Sequence, residues 1–497
     1  MIDTAALREK VLDLAIRGKL VPQDPNDEPA SVLLERIRAQ KLQMVKEGKL
    51  KAKDIKDDTI IFKGDDNCHY EKFADGTIKN IQEEIPFEIP DSWCWCRLQT
   101  FCFPISDGTH QTPTYTNEGY IFLSAKNVTS WKIDWDNVMH IPESLHNELS
   151  KRISPKKNDI LLAKNGTIGV AAIVDRDCDF DIYVTLAVLR TINTSILPQY
   201  LLNAIATSTI QNEFRSTLKG IGVQNLHLEH IRRTLIPIPP YNEQKIIAEK
   251  VEEIIPLLEY ITDTYAELDA AISILKSKIL ELAIQGKLVE QDENDEPASV
   301  LLERIRAEKK AQLGKKYVES YIYKGDDNCY YENNDENPIE TPFVLPKNWG
   351  VSRLFNLAWL DDGEKSKGES LPYLDAKTLR GKQEPVFINE GKIVEAGTNV
   401  ILVDGENSGE VFEVPYRGYI GSTFKVLQVS KHIEKGFIKI ILDFYKTLFK
   451  ENKTGSAIPH LNKKIFKSLV VGLPPINEQK AIISKVKSAI AILKDEV

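Results

Sequence analysis

The stretch Leu14–Gln40, LAIRGKLVPQDPNDEPASVLLERIRAQ, returns as Leu282–Glu308, LAIQGKLVEQDENDEPASVLLERIRAE, 268 residues later and identical at 23 of 27 positions. Two copies this alike in one chain are one structural unit used twice. A second pair lies out of phase with the first: PPYNEQKIIAEKV at Pro239 and PPINEQKAIISKV at Pro474, 235 residues apart. KGDDNC, at Lys63 and Lys324, and PFEIPDSW and PFVLPKNW, at Pro86 and Pro342, join them. Between these repeats the sequence is largely unlike itself. A duplicated frame therefore carries two different inserts.

The frame contains a helix that can be followed by its apolar spacing. Ile247, Val251, Ile254, Leu258, Ile261, Tyr265, Leu268, Ile272, Leu275, Ile279 and Leu282 alternate in steps of four and three. Five heptads with an apolar seam predict a coiled-coil helix from about Asn242 to Ala283, roughly 60 Å long at about 1.5 Å per residue. Pro256 lies off the seam, yet it removes one backbone hydrogen bond and should kink the helix near its start. Gly286 suits a helix stop. The chain ends repeat the same helix in pieces. Leu7, Val11 and Leu14 match Leu275, Ile279 and Leu282, and Ile482, Val486, Ala489 and Leu493 match Ile247, Val251, Ile254 and Leu258. The two termini thus supply a split second copy, the natural partner for the first, in an antiparallel, cyclic, pseudo-two-fold layout.

The fold class expected is α+β, with two globular domains joined by long antiparallel coiled-coil helices. The boundaries read as 1–62, an N-terminal helical region with half of the split helix; 63–238, the first globular domain; 239–322, the central coiled coil; 323–473, the second globular domain; and 474–497, the other half of the split helix. Short β-type runs (DILLA, VAAIV, VTLAVLR, NVILV, GYIGSTFKVL) fill the inserts, each with one helical stretch, PQYLLNAIATSTIQNEF or EKGFIKIILDFYKTLF. The Lys-rich segments 41–62 and 309–322 read as solvated helix ends and linkers.

Hydrophobic residues make up 42% and charged residues 28% of the 497, as in ordinary globular proteins. No apolar run approaches the roughly 18 residues of a membrane span, and MIDTAALREK lacks the pattern of a signal peptide. Six cysteines do not make a disulfide framework, so a cytoplasmic protein with free thiols is expected. The net charge of −9 weighs against a dedicated nucleic-acid binder, leaving local basic surfaces or basic partners to supply phosphate contacts.

Catalytic motifs fail on inspection. Ile238-Pro239-Pro240-Tyr241 lacks the side-chain acceptor that an amino-methyltransferase motif places before its prolines. Cys94, Cys96, Cys102 and His110 have C-x-C spacing, and Gly350, Ser352 and Ala358 replace the cysteines in the second unit, so a zinc site is not expected. Lys164–Gly169 lacks the GK[ST] ending of a phosphate loop. Asp362, Glu364 and Lys365 have no second acidic strand to form a nuclease centre.

What remains is a polar set suited to base edges and phosphates. In the first insert it comprises Thr109, His110, Thr112 and Tyr115 of DGTHQTPTY, then Lys126 and Asn127, then Lys164, Asn165 and Thr167, then Lys219, Gln224, Asn225 and His227. In the second insert Asp404–Gly409 stands for Lys164–Gly169, and Ser456–Asn462 for Ile221–His227. The candidates there are Lys377, Arg380, Lys382, Asn407, Ser408, Thr423, Lys425, Ser456, His460 and Asn462.

With DGTHQTPTY, DILLAKNGTIG, PIPPYNEQ, GLPPINEQ and the duplicated AIxGKLVxQDxNDEPASxLLxRIR segments in view, the chain resembles the specificity subunit of Type I restriction–modification enzymes over nearly its whole length. The resemblance implies two target recognition domains that read double-stranded DNA, on a spacer that recruits two methyltransferase subunits and restriction subunits. It also implies no catalysis by this chain, with S-adenosylmethionine, ATP and magnesium held by the partners. The second insert departs from the pattern, since no DGTH loop follows Arg353-Leu354. The competing reading is a bivalent coiled-coil scaffold for proteins, without DNA.

Overall fold

The computed structural model describes residues 2–192, 196–218, 224–454 and 459–495. The chain divides into two compact units, 1–265 and 266–497. Five helices make the frame: α1 (Thr4–Ile16), α2 (Ala30–Lys46), α3 (Tyr241–Ile284), α4 (Ala298–Leu313) and α5 (Ile476–Asp495). The 44-residue α3 runs through Pro256 without a break, and the division between the units falls within it.

The split partner is present in each unit separately. In the first unit Thr4 Oγ1 lies 2.6 Å from Thr262 Oγ1, while Leu12 and Ala15 share a core with Ile247 and Val251. The numbering runs in opposite senses, so α1 is antiparallel to the first part of α3. In the second unit Ile279 and Leu280 join one core with Ile482, Val486 and Ile490 of α5. The seam is not dry throughout: Leu268 is 39% and Leu275 is 49% exposed, as is Leu7 at 44%, the residue matched to Leu275.

The repeated NEQ is a clamp, and its atoms do the same work twice. Glu243 accepts from Trp93 Nε1 at 2.8 Å and from Gln23 Nε2 at 3.2 Å; Glu478 accepts from Trp349 Nε1 at 3.0 Å and from Gln291 Nε2 at 2.6 Å. Gln244 and Gln479 donate to Pro239 O and Pro474 O, and accept from Leu197 N and Glu434 N. Asn242 and Asn477 donate to Asp27 and Asp295 at 2.7 Å. Burial pushes both glutamates above the usual carboxylate range, against the pull of these donors. Gly18 and Gly286, at φ +65° and +69°, end α1 and α3 with Lys19 N on Leu14 O and Lys287 N on Leu282 O, both 2.9 Å. A Cβ at either glycine would run into a proline ring, Pro90 or Pro346.

Each insert contains a four-stranded antiparallel sheet. In the first unit the strands are β1 (Cys102–Asp107), β2 (Ile160–Ala163), β3 (Ala171–Ile173) and β4 (Leu186–Thr191), in the order β3-β2-β4-β1. In the second they are β5 (Ala358–Asp361), β6 (Asn399–Leu402), β7 (Val411–Glu413) and β8 (Phe424–Val429), in the order β5-β8-β6-β7. The two orders are the same arrangement. All four residues of β2 and of β6 are buried, which accounts for continuous rather than alternating apolar runs. Three further strands form an open sheet in the first insert and a closed barrel (Glu364–Leu374, Phe387–Val394, Gly418–Ile420) in the second, and the expected helical stretches fold as Pro198–Ile205 with Ser208–Ser216, and Lys435–Phe444 with Lys446–Glu451.

One linker expectation is corrected. Lys41 and Lys309, matched residues in the Lys-rich segments, do not lie on a solvated face. Lys41 is 1% exposed, donates to Gln99 O and Thr100 O, and pairs with Asp58; Lys309 donates to Phe355 O beside the Phe355 and Trp359 rings. Burial lowers Lys309 to about 8. The long aliphatic stems reach the short helices Leu98–Phe101 and Leu354–Leu357, where each ammonium finds backbone carbonyl oxygen. Among the described residues, no helix is long and apolar enough to cross a membrane.

Candidate nucleic-acid interface

β1 and β2 both pair antiparallel with β4, so they run parallel to each other and their C-terminal ends share one sheet edge. The loops that leave that edge carry most of the candidate residues. Asp107 ends β1. Gly108 must be glycine, because a Cβ there would overlap Ile182 O; this close approach lets Thr109 N donate to Ile182 O at 3.2 Å. The loop of Thr109, His110, Thr112 and Tyr115 then lies along 182–185, with Val184 N on Thr109 O and the Thr112 hydroxyl 3.3 Å from that of Tyr183. Tyr115, 41% exposed, packs edge-on to Phe122, and burial raises its hydroxyl pKa.

The turn after β2 meets the same place. Leu226 N donates to Lys164 O at 3.0 Å, and Asn165 Nδ2 to Gln224 O at 3.3 Å, which joins the 164–169 and 224–227 segments. Thr167 Oγ1 bonds Ala125 O and Val128 O, bringing in Lys126. His110, Thr112, Lys126, Thr167, Gln224 and His227 are exposed here, with Thr109 and Asn165 half-buried beside them. Asn225 is half-buried, and its Oδ1 has no hydrogen-bond partner among the described residues. Lys219 lies outside the described residues.

Two assignments in this unit change. Lys164 is not a surface cation: it is 3% exposed, with Nζ 2.5 Å from Asp107 Oδ2. Asn127 is 5% exposed, its Oδ1 accepting from Ser124 N and its amide donating to Asn137 O at 2.9 Å, so it closes a turn rather than facing a ligand. A residue missed by motif reading takes the cationic role instead. Arg152, whose side chain is half exposed, donates to the other oxygen of Asp107 at 2.7 Å, and His110 Nε2 stands 3.5 Å from that oxygen. Arg152 is 45 residues from Asp107 in a polar stretch, so only the fold brings them together.

The second unit repeats the backbone and changes the chemistry. Val403 N donates to Thr423 O and Leu461 N to Val403 O, as Lys164 N donates to Thr185 O and Leu226 N to Lys164 O. Val403, 5% exposed, therefore holds the place of Lys164, one residue earlier than a motif alignment sets it. The register of β5 on β8 pairs Asp361 with Val426, so Asp362 follows opposite Lys425, as Asp107 stands opposite Ala187. Asp362-Gly363 is thus the counterpart of Asp107-Gly108, and the salt bridge is remade with Lys425 of the neighbouring strand. The pair has moved outward: the Asp362 side chain is 73% exposed, that of Asp107 4%.

Ser408 is 1% exposed. Asn462 caps the helix Lys463–Ser468, accepting from Lys464 N and Ile465 N. Arg380 is engaged by Glu410 and lies 5.8 Å over Phe412, which holds it against β7. Lys425 faces Asp362. His460 Nδ1 meets Asp404 Oδ1 at 2.6 Å, and Gly405 N bonds Pro459 O, so these loops converge as their counterparts do. Lys377, Lys382, Thr423 and His460 are exposed and Asn407 is half-buried. Lys382 N donates to Lys377 O across a turn with Gly381 at φ +67°, which places the two lysines side by side. Ser456 lies outside the described residues.

Among the described residues no three His, Cys, Asp or Glu side chains are grouped to hold a metal. Cys96 and Cys102 are buried, and burial pushes the Cys96 thiol up to about 12.

The family model of the Type I restriction modification DNA specificity domain matches residues 110–270 and 346–496, more than half of the chain. The chain belongs to this family. The specificity subunit of the Type I restriction enzyme EcoAI from Escherichia coli is 27% identical over 97% of this chain and 88% of that subunit. The EcoEI specificity subunit, also from Escherichia coli, is 29% identical over 70% of this chain and 61% of its own length. A solved chain from work on complex assembly and conformational transition of the type I R-M system shares the fold, with a TM-score of 0.51 at 18% identity over 83% of this chain and 94% of that one. The chain's role is DNA sequence specificity in a Type I restriction–modification system. The first matched segment begins at His110, inside the first loop edge, and the second contains the whole of the other edge.

Proposed function

We propose that residues 63–238 and 323–473 are target recognition domains that read the two halves of an asymmetric, bipartite DNA target. The observation that carries this reading is the pair of equivalent loop edges with unequal side chains. The same backbone bonds recur, while Lys164 becomes Val403 and the DGTH loop becomes DGEK. Unlike side chains on a common scaffold suit unlike base sequences. His110, Thr112, Lys126, Gln224 and His227 would face one half-site, with Arg152 on phosphate. Lys377, Lys382, Asn407, Thr423 and His460 would face the other.

Each domain alone can read only a few base pairs. Joining two through the spacer helices makes the second contact intramolecular and raises affinity without new contacts. Rotational matching favours half-sites about one helical turn, or about 34 Å, apart. The chain would carry no catalysis of its own. In the cytoplasm it would recruit two methyltransferase subunits, holding S-adenosylmethionine, and restriction subunits, holding ATP and magnesium. The test is a single-molecule methylome of the host with and without the gene. One bipartite motif should lose its methylation when the gene is deleted; an unchanged methylome contradicts the reading.

A further inference from the structure

Two core positions of the first insert are polar in the second. With Val403 in the place of Lys164, β6 falls on β2 residue for residue, and Asn399 takes the place of Ile160. Glu413 of β7 pairs with Asn399 as Ile173 of β3 pairs with Ile160. In the first unit Ile160 is fully buried and Ile173 packs against the same core. The hairpin Val128–Thr129 and Lys132–Ile133 packs on β3, with Trp131 of its turn against that core.

In the second unit Asn399 and Glu413 line a cavity of about 780 Å³, within the range of about 300–1,000 Å³ usual for small-molecule sites. The hollow at the corresponding place in the first unit, with Trp131 on its wall, is about 270 Å³. The larger cavity lies between the helix Lys435–Phe444 and α5. Its apolar wall is Leu280, Ile433, Ile440, Ile483, Val486 and Ile490.

Asn399 is 4% exposed, and its side chain makes no hydrogen bond among the described residues. It shares a strand face with Ile401, which belongs to the core that holds Ile440 and Val486, so the amide is on the cavity side of the sheet. A buried amide without a partner is costly, and the isoleucine of the first unit would avoid that cost. The charges at the cavity are unbalanced. Lys439 is paired with Asp443, and Glu434 with Lys480. Lys431, Lys435 and Lys487 have no ion pair among the described residues, and Glu413 is the one unpaired carboxylate beside them.

We infer that this cavity binds a small organic anion. Its apolar body lies on the isoleucine wall, its carboxylate or phosphate head is drawn by the unpaired lysines, and the Asn399 amide hydrogen-bonds its polar edge. The site stands apart from the recognition loops: Asn399 begins β6, whereas the loop edge follows Leu402 at the other end of that strand. It therefore does not depend on how the inserts read DNA.

The test is a titration of the full chain with anilinonaphthalene sulfonate, an apolar anion whose fluorescence rises on burial. One saturable site per chain is expected. Lys435→Glu and Lys487→Glu, both at exposed positions, should each weaken that site by about tenfold or more. Asn399→Ile, which installs the residue of the first unit, should weaken it likewise while raising the melting temperature. If Asn399→Ile fails to fold, the two lysine variants decide. Decanoate and adenosine monophosphate, added as competitors, separate an acyl carboxylate from an aromatic phosphate; displacement of the dye by neither overturns the inference. Dye binding that is absent from the wild-type chain, or equal in the wild type and the folded variants, overturns it as well.

Discussion

The two halves of this molecule agree in their frame and disagree at their loop edges, where an ion pair buried in one half lies near the surface in the other. Glu243 and Glu478 make the same clamp with matched Trp and Gln partners. At the loop edge, by contrast, Asp107 is neutralised inside the protein by Lys164, while Asp362 meets Lys425 near the surface. A buried ion pair commits a loop to one posture, since removing one partner leaves a charge without water or counter-ion. An exposed pair gives little energy and lets the loop vary. The frame keeps one geometry in both halves, while the side chains at the two loop edges differ.

The largest expected effect separates the two aspartates. Asp107→Asn should destabilise the first unit by about 3–5 kcal/mol, read as a shift of its urea transition, whereas Asp362→Asn should cost under about 1 kcal/mol. Equal losses would remove the distinction between a buried and an exposed pair. The frame should respond symmetrically. Glu243→Gln and Glu478→Gln each turn an amide nitrogen toward a donor, and each should cost about 1–3 kcal/mol, by the same measurement; an effect in one half only would break the equivalence.

A smaller effect concerns pH and only the first unit. Burial, partly offset by Arg97 and Thr234, raises Glu213 from 4.5 to about 7. Its folded pKa exceeds its unfolded one, so its contribution is present below about 4.5 and is lost as pH rises through about 7. Glu213→Gln should therefore gain thermal stability relative to wild type between pH 5 and pH 8, and a constant difference in melting temperature across that range would refute this. The smallest effect is electrostatic. Lys382→Ala should weaken DNA binding similarly across sequences and reduce the salt slope by about 1, in titrations of the complex. A change in preferred sequence would make Lys382 a base reader instead.

Much of the frame was legible in the sequence, because period and repetition are local signals. The heptads of α3, the split helix at the termini, the Gly286 stop and the helical stretch of each insert all correspond to observed elements. The role of NEQ was not legible: its Glu accepts from tryptophan and glutamine side chains, and its Gln from a backbone N–H, all far away in sequence. The loop edges were legible as polar loops but not as individual roles. A lysine in AKNGTIG looks alike whether it meets phosphate or Asp107. The equivalence of Asp362-Gly363 to Asp107-Gly108 rests on strand register, since DGEK and DGTH share only their first two residues. Arg152 carried no signal, because nothing near it in sequence marks it as a partner of Asp107.

The central claim is that each insert reads one half of a divided target while the frame only positions them. Exchanging residues 323–473 for the corresponding segment of a family member with a different target, followed by single-molecule sequencing of the methylated DNA, tests it directly. The account predicts that one half of the methylated motif changes and the other half stays, with the gap preserved. An unaltered motif, or one altered in both halves, would contradict it.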